Sequence, residues 1–135
     1  QEFRADGWFV TGDLGYVDPD GYITISGRAK DLIISGGFNV YPAEIENALD
    51  ALPSIGESAV IGLPHVDFGE AVTAVVTARP GQSVDEQATR SQLEGVLAKF
   101  KVPKRVLIKD ALPRNAMGKV QKEALRKEFS ELYRK

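Results

Sequence analysis

Lys119 has the strongest indication of a chemical role in this sequence of 135 residues. It follows a loop that begins at Pro113 and ends at Gly118, so a long cationic side chain stands at the end of a tight turn. The spacing is that of a phosphate-binding loop, but such a loop has glycine where Pro113 stands and serine or threonine where Val120 stands. A lysine presented in this way can stabilise charge that develops on phosphoryl oxygens. The motif alone also fits a solvated lysine on a surface turn.

Two further short runs contain residue types that bind ligands. Asp13 ends the run TGD at 11–13, and an acidic side chain after a strand can accept hydrogen bonds from both hydroxyls of a ribose. An aspartate in a turn or a helix cap is the commoner case. Gly36 and Gly37 are adjacent, which permits positive φ and close approach of the backbone to a ligand. A plain tight turn between a strand and a helix would use the same two glycines.

Composition excludes several other kinds of site. The sequence has no cysteine and a single histidine, His65, which argues against a metal site, a disulfide and a cysteine nucleophile. No apolar run approaches the roughly 20 residues of a membrane span. We expect a cytoplasmic protein of one ordinary domain with a short appendage. The N-terminus lacks a methionine and a signal layout, and we interpret it as a cut end.

Charge is distributed unevenly along the chain. Residues 99–135 carry twelve Lys or Arg and four Asp or Glu, a net +8, whereas residues 1–98 carry five and fifteen, a net −10. A basic segment on an acidic body fits a polyanion-binding module, a docking face against an acidic neighbour, or a solvated helix with mixed charges. Because the basic segment has only three aromatic residues, Phe100, Phe129 and Tyr133, we do not expect a nucleic-acid partner.

The hydrophobic pattern predicts an α+β fold, a small sheet with helices packed on it. The turn signal DPDG at 18–21 predicts a β-hairpin within residues 8–27. After residue 30 the expected order is strand, helix, strand, strand, helix, strand, helix, with the glycine run at 35–39 as a connecting loop. The strands are expected at 32–34, 57–63, 71–78 and 105–108, and the helices at 42–52, 85–100 and 120–133.

Three runs together resemble the adenylate-forming acyl-CoA ligases: TGD at 11–13, GRAKDLIISGGFNV at 27–40 and LPRNAMGK at 112–119. The resemblance covers nearly the whole chain. It implies that residues 1–29, with the hairpin, are the end of a large N-terminal nucleotide-binding domain. Residues 30–135 would be the C-terminal lid domain that carries the catalytic lysine. The family's phosphate loop, adenine pocket and acyl pocket have no counterpart in this sequence, so we expect the isolated chain to be inactive.

The resemblance also implies roles for individual residues. Lys119 would be catalytic, since it would bridge the substrate carboxylate and the α-phosphate of ATP. Asp13 and Arg28 would bind the ribose of the nucleotide. Lys30, together with the neighbouring Asp31, would be the hinge about which the lid rotates.

A second ligand site follows from the same resemblance. Ser35, Gly36, Gly37 and Asn39 would line the tunnel for the pantetheine arm of CoA after adenylation. The backbone freedom of the two glycines is compatible with that use.

The implied reaction joins a carboxylic acid to CoA through an acyl-adenylate and releases AMP and pyrophosphate. ATP, Mg²⁺ with ligands outside this chain, and CoA as co-substrate are the implied cofactors. The sequence of these runs looks closest to that of the malonyl-CoA synthetases, which favours malonate as the acid. Fatty-acyl or aryl-CoA ligases and carrier-protein-loading adenylation domains are the alternatives. A lysine acetyltransferase that acts on Lys119 is a further expected partner, because acetylation removes the charge.

Overall fold

The computed structural model describes residues 31–133 with their side chains, and it describes the backbone of four short strands within residues 1–30. Strand β1 (Glu2–Phe3) pairs antiparallel with β2 (Phe9–Val10), and β3 (Asp13–Val17) pairs antiparallel with β4 (Ile23–Arg28). The β3–β4 pair confirms the predicted hairpin. The turn predicted at 18–21 lies outside the described residues.

Five strands form the central sheet: β5 (Ile33–Ser35), β6 (Phe38–Val40), β7 (Ile55–His65), β8 (Gly69–Ala78) and β9 (Arg105–Ile108). The order is β6-β5-β8-β7, and β9 also pairs with β8. All pairs are antiparallel except β8–β9, which is parallel. The long β7–β8 hairpin is therefore the centre of the sheet, and the predicted α+β fold is confirmed.

Three α-helices pack on this sheet: α1 (Pro42–Asp50), α2 (Glu86–Glu94) and α3 (Lys122–Glu128). Pro42 starts α1 because its missing N–H is not needed in the first turn. The side chain of Asp85 caps α2 by accepting a hydrogen bond from the Ala88 N–H at 2.8 Å. The three helices are short, so most of their stability comes from packing on the sheet and not from helix propensity.

Two predicted helices are longer than the observed ones. The helix expected at 85–100 ends at Glu94, because Ala98 is extended, and the chain then forms a 3-10 turn at Lys99–Lys101. The helix expected at 120–133 begins only at Lys122 and ends at Glu128. Val120 is held instead in a β-bridge opposite Arg114, which fixes it outside the helix.

One predicted connection is a strand. The sequence predicts a connecting loop at 35–39, but Phe38–Val40 form β6 and pair with β5. Adjacent glycines between two short extended segments are a hairpin signal. The apolar residues on each side number only two or three, too few for a period-two pattern to stand out.

The sheet separates two apolar clusters. Strand residues alternate between them, so that Val60 and Val76 face one side while Ile61 and Val75 face the other. The α1–α2 core comprises Ile33, Val40, Ile45, Leu49, Ile55, Val60, Val72, Ala74, Val76, Leu93, Val102 and Val106. The α3 core comprises Ala59, Ile61, Leu63, Val75, Leu112 and Leu125. Because helices cover both faces, β7 and β8 are apolar along most of their length.

Five cations of the basic segment pair with acidic groups of the preceding part of the chain. The pairs are Lys101–Glu44 at 2.8 Å, Arg105–Glu86 at 2.8 Å, Lys122–Glu46 at 2.9 Å, Arg126–Asp31 at 3.1 Å, and Arg114–Glu57. Each such surface pair contributes only about 0–1 kcal/mol. Together they favour the docking interpretation of the charge asymmetry, with the acidic neighbour on the same chain.

Glu86 shows how this pairing fixes β9. Its carboxylate accepts hydrogen bonds from the Arg105 side chain and from the Val106 N–H, both at 2.8 Å. Burial raises the pKa of the Glu86 carboxyl, but these two hydrogen bonds and the charge of Arg105 outweigh burial, so the pKa lies below its usual value. Glu86 thereby joins the first turn of α2 to the edge strand.

We predict that Val76→Ala lowers the free energy of unfolding by about 2 kcal/mol, because it removes two methyl groups from the α1–α2 core and leaves a cavity. Val76 is fully buried, whereas Val96 is 70% exposed. The same substitution at Val96 should change stability by less than about 0.5 kcal/mol. Urea unfolding of both variants measures the difference, and equal effects would contradict the assigned core.

Candidate functional site

Lys119 lies at the end of a loop closed by backbone hydrogen bonds. The Asn115 N–H donates to the Lys119 carbonyl at 2.9 Å, and the Gly118 N–H donates to the Asn115 carbonyl at 2.9 Å. Gly118 has a φ of +80°, a conformation that favours glycine. At the base of the loop the Gln121 N–H donates to the Pro113 carbonyl at 2.8 Å. The loop is therefore a closed turn and not an open connection.

The Lys119 side chain is exposed. Among residues 31–133 it makes no side-chain hydrogen bond or ion pair, whereas the lysines at 101, 109 and 122 are each paired with a carboxylate. The loop below it is anchored to the sheet, since Leu112 is buried in the α3 core. The result is an ordered backbone that carries an uncommitted ammonium group.

Gly36 and Gly37 form the turn of the β5–β6 hairpin. Their φ values are +58° and +86°, and positive φ at both central residues is the requirement of a type I′ turn. The Gly36 N–H donates to the Phe68 carbonyl at 3.0 Å, which attaches the turn to the β7–β8 loop. Of the other two predicted CoA-binding residues, Asn39 is exposed and Ser35 is buried.

A cleft of about 150 Å³ opens beside this turn. Two phenyl rings, Phe38 and Phe100, stack in it with centroids 4.5 Å apart, and the Lys104 ammonium lies 3.9 Å from the centroid of Phe68. Aromatic faces beside ammonium groups suit a ligand with a flat ring and phosphates. The lining residues are Ser35, Gly36, Phe38, Phe68, Val72, Lys99, Phe100, Val102 and Lys104.

The sequence predicts a ligand-binding role for Ser35 and Gly36 of this cleft, but not for its aromatic and basic wall. Phe100 lies at the end of the helix predicted at 85–100, and Lys104 lies in the basic segment. Phe38 and Phe100 are 62 positions apart, so no local spacing relates them. The stacked arrangement arises because the 3-10 turn at Lys99–Lys101 brings Phe100 onto β6.

The lysine loop and the glycine turn lie at opposite ends of the β7–β8 hairpin. Arg114 of the loop pairs with Glu57 near the start of β7, whereas the glycine turn is bonded next to Gly69, which pairs with His65 at the end of β7. The eight residue-to-residue steps of strand from Glu57 to His65 span about 26 Å at ~3.3 Å per step. The structure therefore does not bring Lys119 and Gly36 together.

The remaining predicted residues lie around residue 30. Asp13 and Arg28 are register partners in the β3–β4 ladder, so the two predicted ribose-binding residues stand opposite each other on the backbone. Lys30 lies outside the described residues. Asp31 is tied to α3, since Arg126 Nη2 lies 3.1 Å from its carboxylate.

His65 occupies a structural position. Its Nδ1 accepts a hydrogen bond from the Asp67 N–H at 3.1 Å, and its ring lies between those of Phe68 and Tyr133, at centroid distances of 4.8 and 5.4 Å. Tyr133 Oη and Thr73 Oγ1 are hydrogen-bonded at 2.9 Å. Burial raises the pKa of the Tyr133 phenol, and the hydrogen bond to Thr73 offsets part of that rise.

Two other kinds of feature are absent from the residues that the structure describes. No group of three or more His, Cys, Asp or Glu side chains there is arranged to hold a metal ion. No helix there has the length and apolar character needed to cross a membrane.

Comparison with known proteins identifies the class to which this arrangement belongs. Residues 44–119 match the AMP-binding enzyme C-terminal domain, and the matched segment ends at Lys119. The chain belongs to this family.

Its relatives are acyl-CoA ligases and related enzymes. The ATP-bound crystal structure of MatB, a malonyl-CoA synthetase from Rhodopseudomonas palustris, is 58% identical and superimposes with a TM-score of 0.90, covering 98% of this chain and 26% of that one. An indoleacetate–CoA ligase of Aromatoleum aromaticum is 50% identical over 90% of this chain and 24% of its own length. A fatty acid–acyl-carrier-protein ligase of Streptomyces coeruleorubidus is 47% identical over 95% of this chain and 25% of its own. The chain thus spans about a quarter of the length of these relatives.

We predict that alanine is tolerated worse at Gly36 than at Gly37. Both positions have positive φ, which costs a non-glycine residue about 1–2 kcal/mol. A Cβ at Gly36 would also lie 3.2 Å from Phe68 Cδ1, whereas a Cβ at Gly37 meets nothing within 4 Å. Urea unfolding of Gly36→Ala and Gly37→Ala measures the difference, with Gly37→Asn as a milder variant because asparagine adopts positive φ more readily. Equal losses at the two glycines would show that Phe68 does not restrict the turn.

Proposed function

We propose that residues 30–135 are the C-terminal lid domain of an ATP-dependent carboxylic acid–CoA ligase, that residues 1–29 are the end of its large N-terminal domain, and that Lys119 is its catalytic residue. The observation that carries the proposal is the ammonium of Lys119, which is exposed and has no ion pair among residues 31–133, at the end of a closed loop. The loop belongs to a domain whose relatives include an ATP-bound structure and several CoA ligases. The proposed boundary lies between residues 29 and 30, and the isolated chain is expected to catalyse neither half-reaction.

In the first half-reaction a carboxylate oxygen attacks the α-phosphorus of ATP, a P–O bond to pyrophosphate breaks, and acyl-adenylate forms. Two anions approach each other and negative charge grows on the phosphoryl oxygens. The ammonium of Lys119 stabilises that charge, and it has no ion pair with the described part of the chain to break beforehand. Asp13 and Arg28 would hold the ribose. Mg²⁺, with ligands outside this chain, would neutralise charge on the phosphates.

In the second half-reaction the CoA thiol attacks the acyl carbonyl of the adenylate and AMP leaves. The separation of about 26 Å along β7 supports a rotation between the two steps, because one orientation of the lid cannot present both ends to one reacting centre. We place the pivot at Lys30. Asp31 would move with the lid, since its ion pair with Arg126 ties it to α3.

The cleft beside Gly36 supports the proposed CoA site. Ser35, the glycine turn and Asn39 would line the pantetheine tunnel, and Ser35 and Gly36 are the members of this group that border the cleft. The phenyl rings of Phe38 and Phe100 offer a surface for the adenine of CoA, and Lys99 and Lys104 offer ammonium groups for its phosphates.

Malonate is the favoured acid because of the 58% identity with MatB. An indoleacetate–CoA ligase and a fatty acid–carrier-protein ligase are nearly as similar to this chain. Aryl acids, fatty acids and a carrier-bound thiol acceptor therefore remain the alternatives. Ligases for different acids share this lid domain, so its sequence indicates the shared reaction more strongly than it indicates the acid substrate. We also propose a cytoplasmic location and control by a lysine acetyltransferase, since acetylation of Lys119 would remove the charge on which adenylation depends.

We predict that Lys119→Ala in the full-length ligase slows adenylate formation by about 10²–10³-fold, the loss typical of removing one stabilising charge or donor. Pyrophosphate release with acid and ATP measures this step. Thioester formation from supplied acyl-adenylate should stay within about twofold of wild type, because Lys119 is then remote from the reacting centre.

The matched control is Lys127→Ala, at another exposed lysine without an ion pair among the described residues. It should leave both half-reactions unchanged. Undiminished adenylation in Lys119→Ala would overturn the proposed role.

The proposed CoA cleft makes a separate prediction. Lys104→Ala should raise the KM for CoA by about tenfold, since a charge-assisted hydrogen bond contributes roughly 1.5–3 kcal/mol, and should leave pyrophosphate release unchanged. Steady-state kinetics at varied CoA concentration measure the first effect. An unchanged KM for CoA in Lys104→Ala and in Phe100→Leu would remove the cleft from the CoA site.

A further inference from the structure

Asn115 makes more hydrogen bonds within the lysine loop than any other described residue of that loop. Its side-chain Oδ1 accepts from the Met117 N–H at 2.9 Å and from the Lys119 N–H at 3.0 Å. Its own N–H and carbonyl take part in two further bonds, to Lys119 and Gly118. One carboxamide oxygen therefore satisfies two backbone donors that the turn leaves without a carbonyl partner.

Arg114 connects the same loop to the sheet. Its Nη1 donates to the Gly118 carbonyl at 2.5 Å, and its Nη2 forms an ion pair with Glu57 on β7. One planar guanidinium thus joins the residue before Lys119 to the start of the central hairpin. The pairing with Glu57 also balances the charge of Arg114, so Lys119 is the cation that the loop presents without a partner.

We propose that Asn115 and Arg114 are positioning residues for Lys119, which fix its backbone while leaving its ammonium free. This inference rests on the proposed role of Lys119 in adenylation. The geometry points to a division of labour: the side chains of Asn115 and Arg114 bond main-chain groups of the loop, Arg114 also pairs with Glu57, and no polar contact among residues 31–133 holds the Lys119 side chain. A catalytic group displaced by about 1 Å can lose 10²-fold in rate.

The two residues act through different contacts. Without the Asn115 oxygen, the N–H groups of Met117 and Lys119 turn to water and the loop samples other conformations. Without the Arg114 guanidinium, the loop keeps its internal bonds but loses its brace to Glu57. Asn115 is therefore expected to matter more for the rate and Arg114 less, since an exposed ion pair contributes little.

The test uses the full-length ligase and measures the two half-reactions separately. Asn115→Leu, which is similar in size and has no acceptor, should slow pyrophosphate release by about tenfold or more. Asn115→Ser, whose hydroxyl can bond the same backbone N–H groups, should recover most of the loss. Arg114→Met should slow the step by roughly two- to fivefold, a small loss typical of a partly exposed contact.

The control is Asn47→Leu, the same substitution at an exposed asparagine of α1 that makes no side-chain hydrogen bond among the described residues. It should leave adenylation unchanged. Thioester formation from supplied acyl-adenylate reports folding in every variant and should stay near the wild-type rate, because it does not use Lys119.

The outcomes separate this inference from the proposed function. If Lys119→Ala abolishes adenylation while Asn115→Leu leaves it intact, the positioning role is wrong and the catalytic role stands. If Lys119→Ala has no effect, both are wrong. If Asn115→Leu slows both half-reactions equally, or Asn115→Ser gives no recovery, Asn115 has a general structural role and the inference is overturned.

Discussion

Burial of the β7–β8 hairpin on both faces is the constraint on which the rest of this structure depends. Successive residues such as Val75 and Val76 enter different cores, so neither strand can shift by one residue without exchanging the two sets. The fixed register places every attached element. At one end of the hairpin Glu57 pairs with Arg114 of the lysine loop, and at the other end Gly69 pairs with Ser35 beside the glycine turn.

This arrangement places the lysine loop and the aromatic cleft at opposite ends of one small domain. The lysine loop packs on the α3 core through Leu112, whereas the cleft uses Val72 and Val102 of the α1–α2 core. The two ends share no side chain in the described residues. Substitutions in one site are therefore expected to be nearly additive with those in the other.

Much of the fold could be predicted from the sequence, for identifiable reasons. The apolar runs of β7 and β8 are long, and α1 begins at Pro42 with Ile45 and Leu49 at helical spacing, so their types were correct. The last helix was predicted too long because Val120 continues an apolar helical pattern. A bridge to Arg114, a tertiary contact, holds it in extended conformation instead.

Some residues of the candidate site could likewise be predicted from local sequence, whereas others depend on tertiary contacts. Lys119 and the two glycines are visible in sequence because a turn restricts residue types locally. Asn115 is close to Lys119 in sequence, but its role depends on where Oδ1 points, and sequence does not give that direction. Phe100 and Lys104 belong to the cleft only because the 3-10 turn and β9 bring them to Phe38 and Phe68.

The glycine hairpin is attached to the sheet by few bonds, and this has a mechanical consequence. Strand β5 meets β8 at one register pair, Ser35 with Gly69, and is otherwise joined there by the Gly36 N–H and by the Ile34 N–H, which donates to Glu70 Oε2 at 2.8 Å. β9 occupies the rest of that edge of β8. Because Ile33 and Val40 at the base of the hairpin are buried in the α1–α2 core, only the turn beyond them can loosen at low free energy while the β7–β8 pairing stays intact.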